Sequence, residues 1–415
     1  MAQRQSIFTV TLAAICALIA GATFGQETRR VDSFNLAEIE KARILKKAAN
    51  YLQQAPRTVT ADKCERSAGG LHDYYSEGDY WWPNPKNPAG PYIRRDGETN
   101  PGLFVAHRKS LVRLSEIIGT LTSAYLITDE EKYAARAVTH LKAWFVSQET
   151  RMNPSLLYGQ AIKGLHTGRS IGIIDTVHLT EVALGVKRLC DSPSFTPKDQ
   201  TIVKAWFSEY LKWINGHKYG ITEKSHPNNH GVCWSLQAAA FARLAGDEEL
   251  LRWIRNQFKT VYVGEMMDRK GGFPAELKRT KPYGYSLFVI DALAGVAQIT
   301  STPEDDLWTF QLPDGRGMRK GMEFIVPYIV DKKSWPRKPD VMYWDEWPAR
   351  HPSLLLAGLK FGRSDYLETW SKLEPDPTTF EVLRNLPLRH PLLWVTNKMM
   401  KSGGSNKALR RSHQP

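Results

Sequence analysis

Ala242-Arg243-Leu244-Ala245-Gly246-Asp247 closes one apolar helical stretch and opens an amphipathic one. The same layout recurs at Ala124-Tyr125-Leu126-Ile127-Thr128-Asp129 and at Ala357-Gly358-Leu359-Lys360-Phe361-Gly362-Arg363-Ser364-Asp365. The three aspartates are evenly spaced, and each interval would hold about two helical hairpins. Repeated hairpins build a solenoid or a closed ring of helix pairs. Aspartate at a helix start is also a common cap. The layout shared around the aspartates is what favours the ring.

Helical apolar spacing continues on both sides of these turns. It marks Leu36–Gln54, Leu103–Ile127, Glu130–Val146, Ser170–Leu189, Lys198–Ile214, Gly231–Leu244, Glu248–Val261, Tyr283–Ile299 and Pro352–Lys360. No hairpin signal lies between them. The expected fold class is therefore all-α, an incomplete barrel of helical hairpins over residues 27–397. Two regions break the pattern. Ser67–Pro101 is long, aromatic and rich in Pro and Gly, and a loop of that length inside a compact domain usually carries function. Residues 398–415 hold Lys398, Lys401, Lys407, Arg410 and Arg411 with no acid, which reads as a flexible basic tail.

Of the 415 residues, 42% are hydrophobic and 24% charged, which excludes a disordered, collagenous or coiled-coil chain. The formal charge of +13 points to an anionic partner. Arg4, the apolar run Ile7–Ile19 and the small residues Ala20-Gly21-Ala22 have the layout of a secretory signal peptide over residues 1–22. The run is short for a membrane helix, and no later segment could span a bilayer. The expected location is the periplasm or the medium. Cys64, Cys190 and Cys233 remain after cleavage, enough for one bridge of unassigned pairing. No Cys/His cluster has zinc-ligand spacing.

Four stretches are too specific to be scaffold alone. Tyr80-Trp81-Trp82-Pro83 with Arg94-Arg95-Asp96 combines sugar-stacking rings with guanidinium groups able to fork onto carboxylates. Its bland alternative is a loop pinned by its tryptophans. His166-Thr167-Gly168-Arg169 precedes a helix and could point His166 and Arg169 into a cleft, while Asp175 reads as structural. In His226-Pro227-Asn228-Asn229-His230-Gly231 a helix cap explains one asparagine, leaving an amide and an imidazole side by side at a helix N-terminus. Glu276–Ser286 places Pro282 at the first helical position, with Arg279 in the preceding loop. Tyr283 and Tyr285 then point to different sides, so only one of them faces a given site.

At these residues the sequence resembles the alginate-lyase-domain polysaccharide lyases, within the helical-toroid group that includes chondroitin and hyaluronate lyases. The resemblance runs from about Tyr80 to Leu293, and its most specific marks are Asn228-Asn229-His230, Arg279 with Tyr285, and Tyr80-Trp81-Trp82-Pro83. It implies an (α/α) toroid that cleaves a uronic-acid polymer by β-elimination without metal or cofactor. It also implies a catalytic set of Asn229, His230, Arg279 and Tyr285. Tyr80, Trp81, Trp82, Arg94, Arg95, His166, Arg169 and Tyr283 become the expected substrate-binding residues. Gly231-Val232-Cys233-Trp234 stands where many alginate lyases have Ser and an aromatic pair. The substrate therefore stays open between alginate and glucuronan.

Those residue types suit the reaction. Removing the C5 proton beside a carboxylate builds a second negative charge, which Asn229 and Arg279 would spread as an oxyanion hole does. Tyr285 is the expected base, ionised by Arg279 and His230, and would return the proton to O4 on the same face. His230 is the base expected for opposite-face abstraction, as in guluronate. Two rivals remain: a glycoside hydrolase using Asp345 and Glu346, and a non-catalytic binder of anionic glycans. A nucleic-acid partner fits the charge but neither the leader nor any motif.

Overall fold

The structure, a computed structural model, describes residues 34–395. The leader expected over 1–22 and the tail expected over 398–415 lie outside the described residues. The first helices of successive pairs line the inside of the fold. Ala106–Thr128, Leu179–Leu189, Asn229–Ala245, Pro282–Thr300 and Pro352–Phe361 each pack on the next. Outside them lie Glu131–Phe145, Pro197–Gly216, Glu248–Gln257, Met318–Val330 and Ser364–Lys372, each against one or two inner helices. Sequence explains the layering. Pro282–Thr300 is buried on every side, as its nearly unbroken apolar run demands. Glu248–Gln257 buries only Leu250, Leu251, Ile254 and Arg255.

Leu36–Tyr51 packs on Ala106–Thr128 and meets the far end of the chain through Arg43 with Asp376, Glu40 with Arg350, and Phe34 against Trp370. The chain then returns to the inner helices. Buried Glu181 accepts from the backbone N–H groups of Arg389 and His390, each at 2.8 Å, and from Trp394 Nε1 at 2.8 Å. The result is an incomplete (α/α) toroid, as the sequence predicts.

The repeated turns share a left-handed residue rather than a capping aspartate. Asp129, Gly246 and Gly362 have φ of 59°, 78° and 68°. Of the three aspartates only Asp247 caps, accepting from Leu250 N at 3.0 Å. Other expectations are corrected. Ser170–Leu189 is not one helix: a 3-10 segment, Ser170–Thr176, precedes Leu179–Leu189. Glu248–Val261 ends at Gln257 and passes into a π-helical stretch, Phe258–Met266. The long loop carries short ladders that period-2 patterning cannot flag. Trp81–Trp82 pairs antiparallel with Ile93–Arg94, and Tyr75–Glu77 pairs parallel with Tyr158–Ala161. Cys64, Cys190 and Cys233 are free, so the bridge the sequence allows does not form.

The N-terminal ends of Leu179–Leu189, Asn229–Ala245 and Pro282–Thr300 meet at one cleft of about 310 Å³, lined there by His178, Asn228 and Tyr285. Helix N-termini favour negative charge.

Candidate active site

Asn228 does the ordinary work of an asparagine cap, its side-chain oxygen accepting from His230 N at 3.0 Å. That leaves the next two side chains for other tasks. Asn229 is buried, and its backbone N–H and Nδ2 donate to the two carboxylate oxygens of Glu276, each at 2.7 Å. His230 turns Nδ1 to Glu223 Oε1 at 2.5 Å, and Glu223 is fully buried. With Nδ1–H donated to that carboxylate, Nε2 is the nitrogen left for the cleft.

Gly231 follows because nothing larger fits. A Cβ there would lie 2.3 Å from the His226 carbonyl oxygen, a backbone atom. Gly231→Ala is expected to push the helix start off the preceding turn and destabilise the fold by about 1–3 kcal/mol, read as a lower Tm in thermal denaturation.

Pro282 opens the next inner helix at its first turn, and Tyr283 and Tyr285 leave it on different sides. The Tyr285 hydroxyl faces the cleft, 3.1 Å from Arg279 Nη2 and 2.8 Å from the Tyr80 hydroxyl. The Arg279 guanidinium also lies over the Tyr285 ring, 4.2 Å from its centroid. Asp96 fixes Arg279 from behind, accepting from Nε at 3.2 Å and Nη2 at 2.8 Å. Behind Tyr80, the Arg384 Nη2 group donates to its hydroxyl at 3.1 Å, and Glu381 pairs with both Arg384 and Lys281.

Charge around Tyr285 pulls in two directions. Burial pushes its phenol well above the usual tyrosine value and Tyr80 adds to this, while Lys281 and Arg279 oppose it. The sequence reading expects Arg279 and His230 to ionise Tyr285; burial works against that and outweighs the pull of Lys281 and Arg279. Burial would raise Glu381 too, but Arg384 and Lys281 outweigh it and bring that carboxyl down to about 2. Burial would also raise Asp96, yet Arg279 and Thr280 hold it well below the usual carboxylate range.

The opposite wall is built on Gln160, a non-glycine residue at φ 49°. Its strand runs so close to the 3-10 segment that a Cβ on Gly172 would sit 2.5 Å from Gly159 backbone atoms. Arg169 Nε and Nη2 donate to the backbone and side-chain oxygens of Gln160 at 2.9 and 3.0 Å. Trp81 lies beside it, its ring centroid 5.8 Å from the guanidinium. Arg94 and Arg279 share Asp96, and Arg384 is paired with Asp79 and Glu381. Among the described cleft-lining guanidiniums, Arg169 alone has no carboxylate in hydrogen-bond contact.

The model of the alginate lyase family matches residues 58–335. The chain belongs to the alginate lyase family. Its structure is similar to the crystal structure of an alginate lyase from Bacteroides ovatus, at 29% identity and a TM-score of 0.76, covering 90% of this chain and 97% of that one. It shares its fold with alginate lyase A1-III from Sphingomonas species A1, at 15% identity and a TM-score of 0.53, covering 88% of this chain and 96% of that one. No curated protein sequence matches the chain.

This polysaccharide lyase brings Asn229, His230, Arg279, Tyr285, Tyr80, Trp81, Arg94 and Arg169 to one cleft. It leaves four expected residues outside the lining. Tyr283 is buried behind the helix, donating to the Tyr328 carbonyl at 2.9 Å and packed against Trp335 and Trp344. Trp82 bonds the Glu98 carbonyl at 3.0 Å and stacks under Arg95, so the two satisfy each other. His166 sits exposed on a turn bridged to Ile162. Asp345 and Glu346 are exposed and away from the cleft, which removes the hydrolase pair.

Around the cleft stand residues that sequence reasoning did not assign. Glu223 and Glu276 hold His230 and Asn229, and Arg384 comes from Phe380–Arg384, beyond the family match. Asp175 also lines the cleft and is held by Arg108, Ser76 and Gln160. Among the described residues no group of three or more metal-ligating side chains converges, and no helix is long and apolar enough to cross a membrane.

Proposed function

We propose that this lyase cleaves a polyuronate, alginate or glucuronan, by β-elimination, with Tyr285 moving the proton. The observation that carries the reading is the Tyr285 hydroxyl, held 3.1 Å from Arg279 in a cleft that also presents Asn229 and His230. Asn229 and Arg279 hydrogen-bond the sugar carboxylate and spread the charge that develops there. The Tyr285 oxygen, in its ionised form, takes the C5 proton and becomes the neutral phenol, the C5–H pair forms the C4–C5 double bond, and the C4–O4 bond breaks with its pair left on O4. O4 then takes the proton back from Tyr285. His230 Nε2 stands as the base for abstraction from the opposite face, the geometry of guluronate.

The family match and the alginate lyase from Bacteroides ovatus support alginate as the polymer. An absorbance screen of the purified lyase on polymannuronate, polyguluronate and glucuronan tests the reading. A rise from the unsaturated product is expected on at least one of them. Chain shortening without that rise would refute it.

Arg169 is the group best placed to recognise a further sugar carboxylate, because no carboxylate of the protein occupies it. A hydrogen bond to a charged group is worth about 1.5–3 kcal/mol. Arg169→Ala is therefore expected to raise KM about tenfold or more on the polymer, with a smaller change in kcat, in steady-state assays. We also propose export of the lyase, on the leader-like residues 1–22. N-terminal sequencing of the secreted protein checks this, and retention of Met1 would oppose it.

A further inference from the structure

We infer that Glu276 is a positioning residue for the elimination, holding the Asn229 amide in the one orientation that offers an N–H to the sugar carboxylate. Glu276 and Asn229 are each 1% exposed, and their contact is two-pronged: backbone N–H to Oε1 and Nδ2 to Oε2, both at 2.7 Å. No lysine, arginine or histidine forms a salt bridge with Glu276 among the described residues. A buried carboxylate with only amide partners is expensive. Glutamine would fill the same space at lower electrostatic cost.

What the carboxylate supplies is selectivity. An ionised carboxylate accepts and never donates, whereas the Asn side chain has a donor end and an acceptor end. Both Glu276 oxygens take N–H groups from Asn229, so the amide cannot turn its Oδ1 toward Glu276 without placing two acceptors face to face. One Nδ2 hydrogen is used on Glu276 and the other remains. The backbone bond fixes the same residue at the first turn of its helix, so amide position and orientation are set together. A glutamine at 276 offers one acceptor and one donor. It satisfies only one of the two N–H groups, or it invites the flipped amide.

The inference rests on the donor role proposed for Asn229, and the test separates the two. Glu276→Gln and Glu276→Asp are made alone and combined with Asn229→Ala, and kcat, KM and Tm are measured on polymannuronate or whichever polyuronate the wild type cleaves. E276Q is expected to lose about tenfold to a hundredfold in kcat, the scale of a small misplacement of a catalytic group, with KM changed by less than about threefold. E276D, which keeps an acceptor-only carboxylate, recovers part of that loss. In the N229A background no amide remains to orient, so E276Q should change kcat by less than about twofold.

Wild-type kcat in folded E276Q overturns the inference. So does a loss in the N229A background as large as in the wild type, which would mark Glu276 as scaffold. Should E276Q melt below the assay temperature, the same cycle is read with E276D. Full activity of N229A alone would instead refute the role of Asn229 and leave the wild-type lyase reaction standing.

Discussion

Tyr285→Phe is expected to lower kcat/KM on the polyuronate by about 10²–10⁴, the usual range for removing a general acid–base group. The substitution keeps the ring beneath Arg279 and removes one oxygen, the one that lies 2.8 Å from Tyr80 and 3.1 Å from Arg279. The wild-type pH profile should carry the same signature. Burial pushes the Tyr285 phenol upward against the pull of Lys281 and Arg279. The basic form is therefore the minor one at neutral pH, and its population grows with every rise in pH below the phenol's own value. Wild-type kcat/KM should climb through the alkaline range, and that limb should vanish in Tyr285→Phe. A profile falling above neutrality, or a Phe variant with wild-type rate, would remove Tyr285 from the proton path. The measurement is initial rate by product absorbance across pH, with Tm recorded to confirm that both proteins stay folded.

The long inner helices were legible because their signals are local. A nearly unbroken apolar run such as residues 287–297, interrupted only by Asp291, can only be satisfied by burial on all sides, and the αL turns at Gly246 and Gly362 end their helices by glycine chemistry. The elements that escaped detection are held by distant partners. Trp81 and Arg94 pair across the loop in an antiparallel register no sequence period announces. Met318–Val330 carries Pro327 inside it, which interrupts the pattern although its apolar face still turns inward.

The same division runs through the site. Asn229, His230, Arg279 and Tyr285 sit in unusual local strings, where a cap or a helix start accounts for one residue and leaves the others unexplained. The tyrosine pair shows the limit of that logic: the helix spacing says that only one of Tyr283 and Tyr285 reaches a cleft, and three-dimensional packing decides which. Glu223, Glu276, Glu381 and Arg384 stand in plain helical surroundings. Their roles come from pairings such as Tyr80 with Arg384, residues far apart in the chain and 3.1 Å apart in space. Charge followed the same rule. The surplus of +13 points to an anionic partner, yet Arg94, Arg279 and Arg384 are all paired with carboxylates of the protein itself. Arg169, which the sequence already offers as a binding residue, is the exception among these four, bonded to Gln160 instead of a carboxylate.

Asn229→Ala is expected to lower kcat by about 10²–10³, the cost of losing one donor to a developing oxyanion. The size follows from where the amide sits. It lies buried at the N-terminus of an inner helix, beside two other inner-helix N-termini, where one N–H on a growing charge is worth more than in solvent. Stability should also fall, because Glu276 loses the Nδ2 that satisfies Oε2. Rates must therefore be taken well below the variant's Tm and normalised to folded protein. KM separates the two possible roles of the amide. If Asn229 bound the carboxylate equally in substrate and transition state, KM would rise and kcat would hold. A donor whose bond strengthens as the second negative charge forms lowers kcat and leaves KM nearly unchanged. The elimination reading requires the second pattern, since the carboxylate gains its extra charge only after the C5 proton has begun to leave.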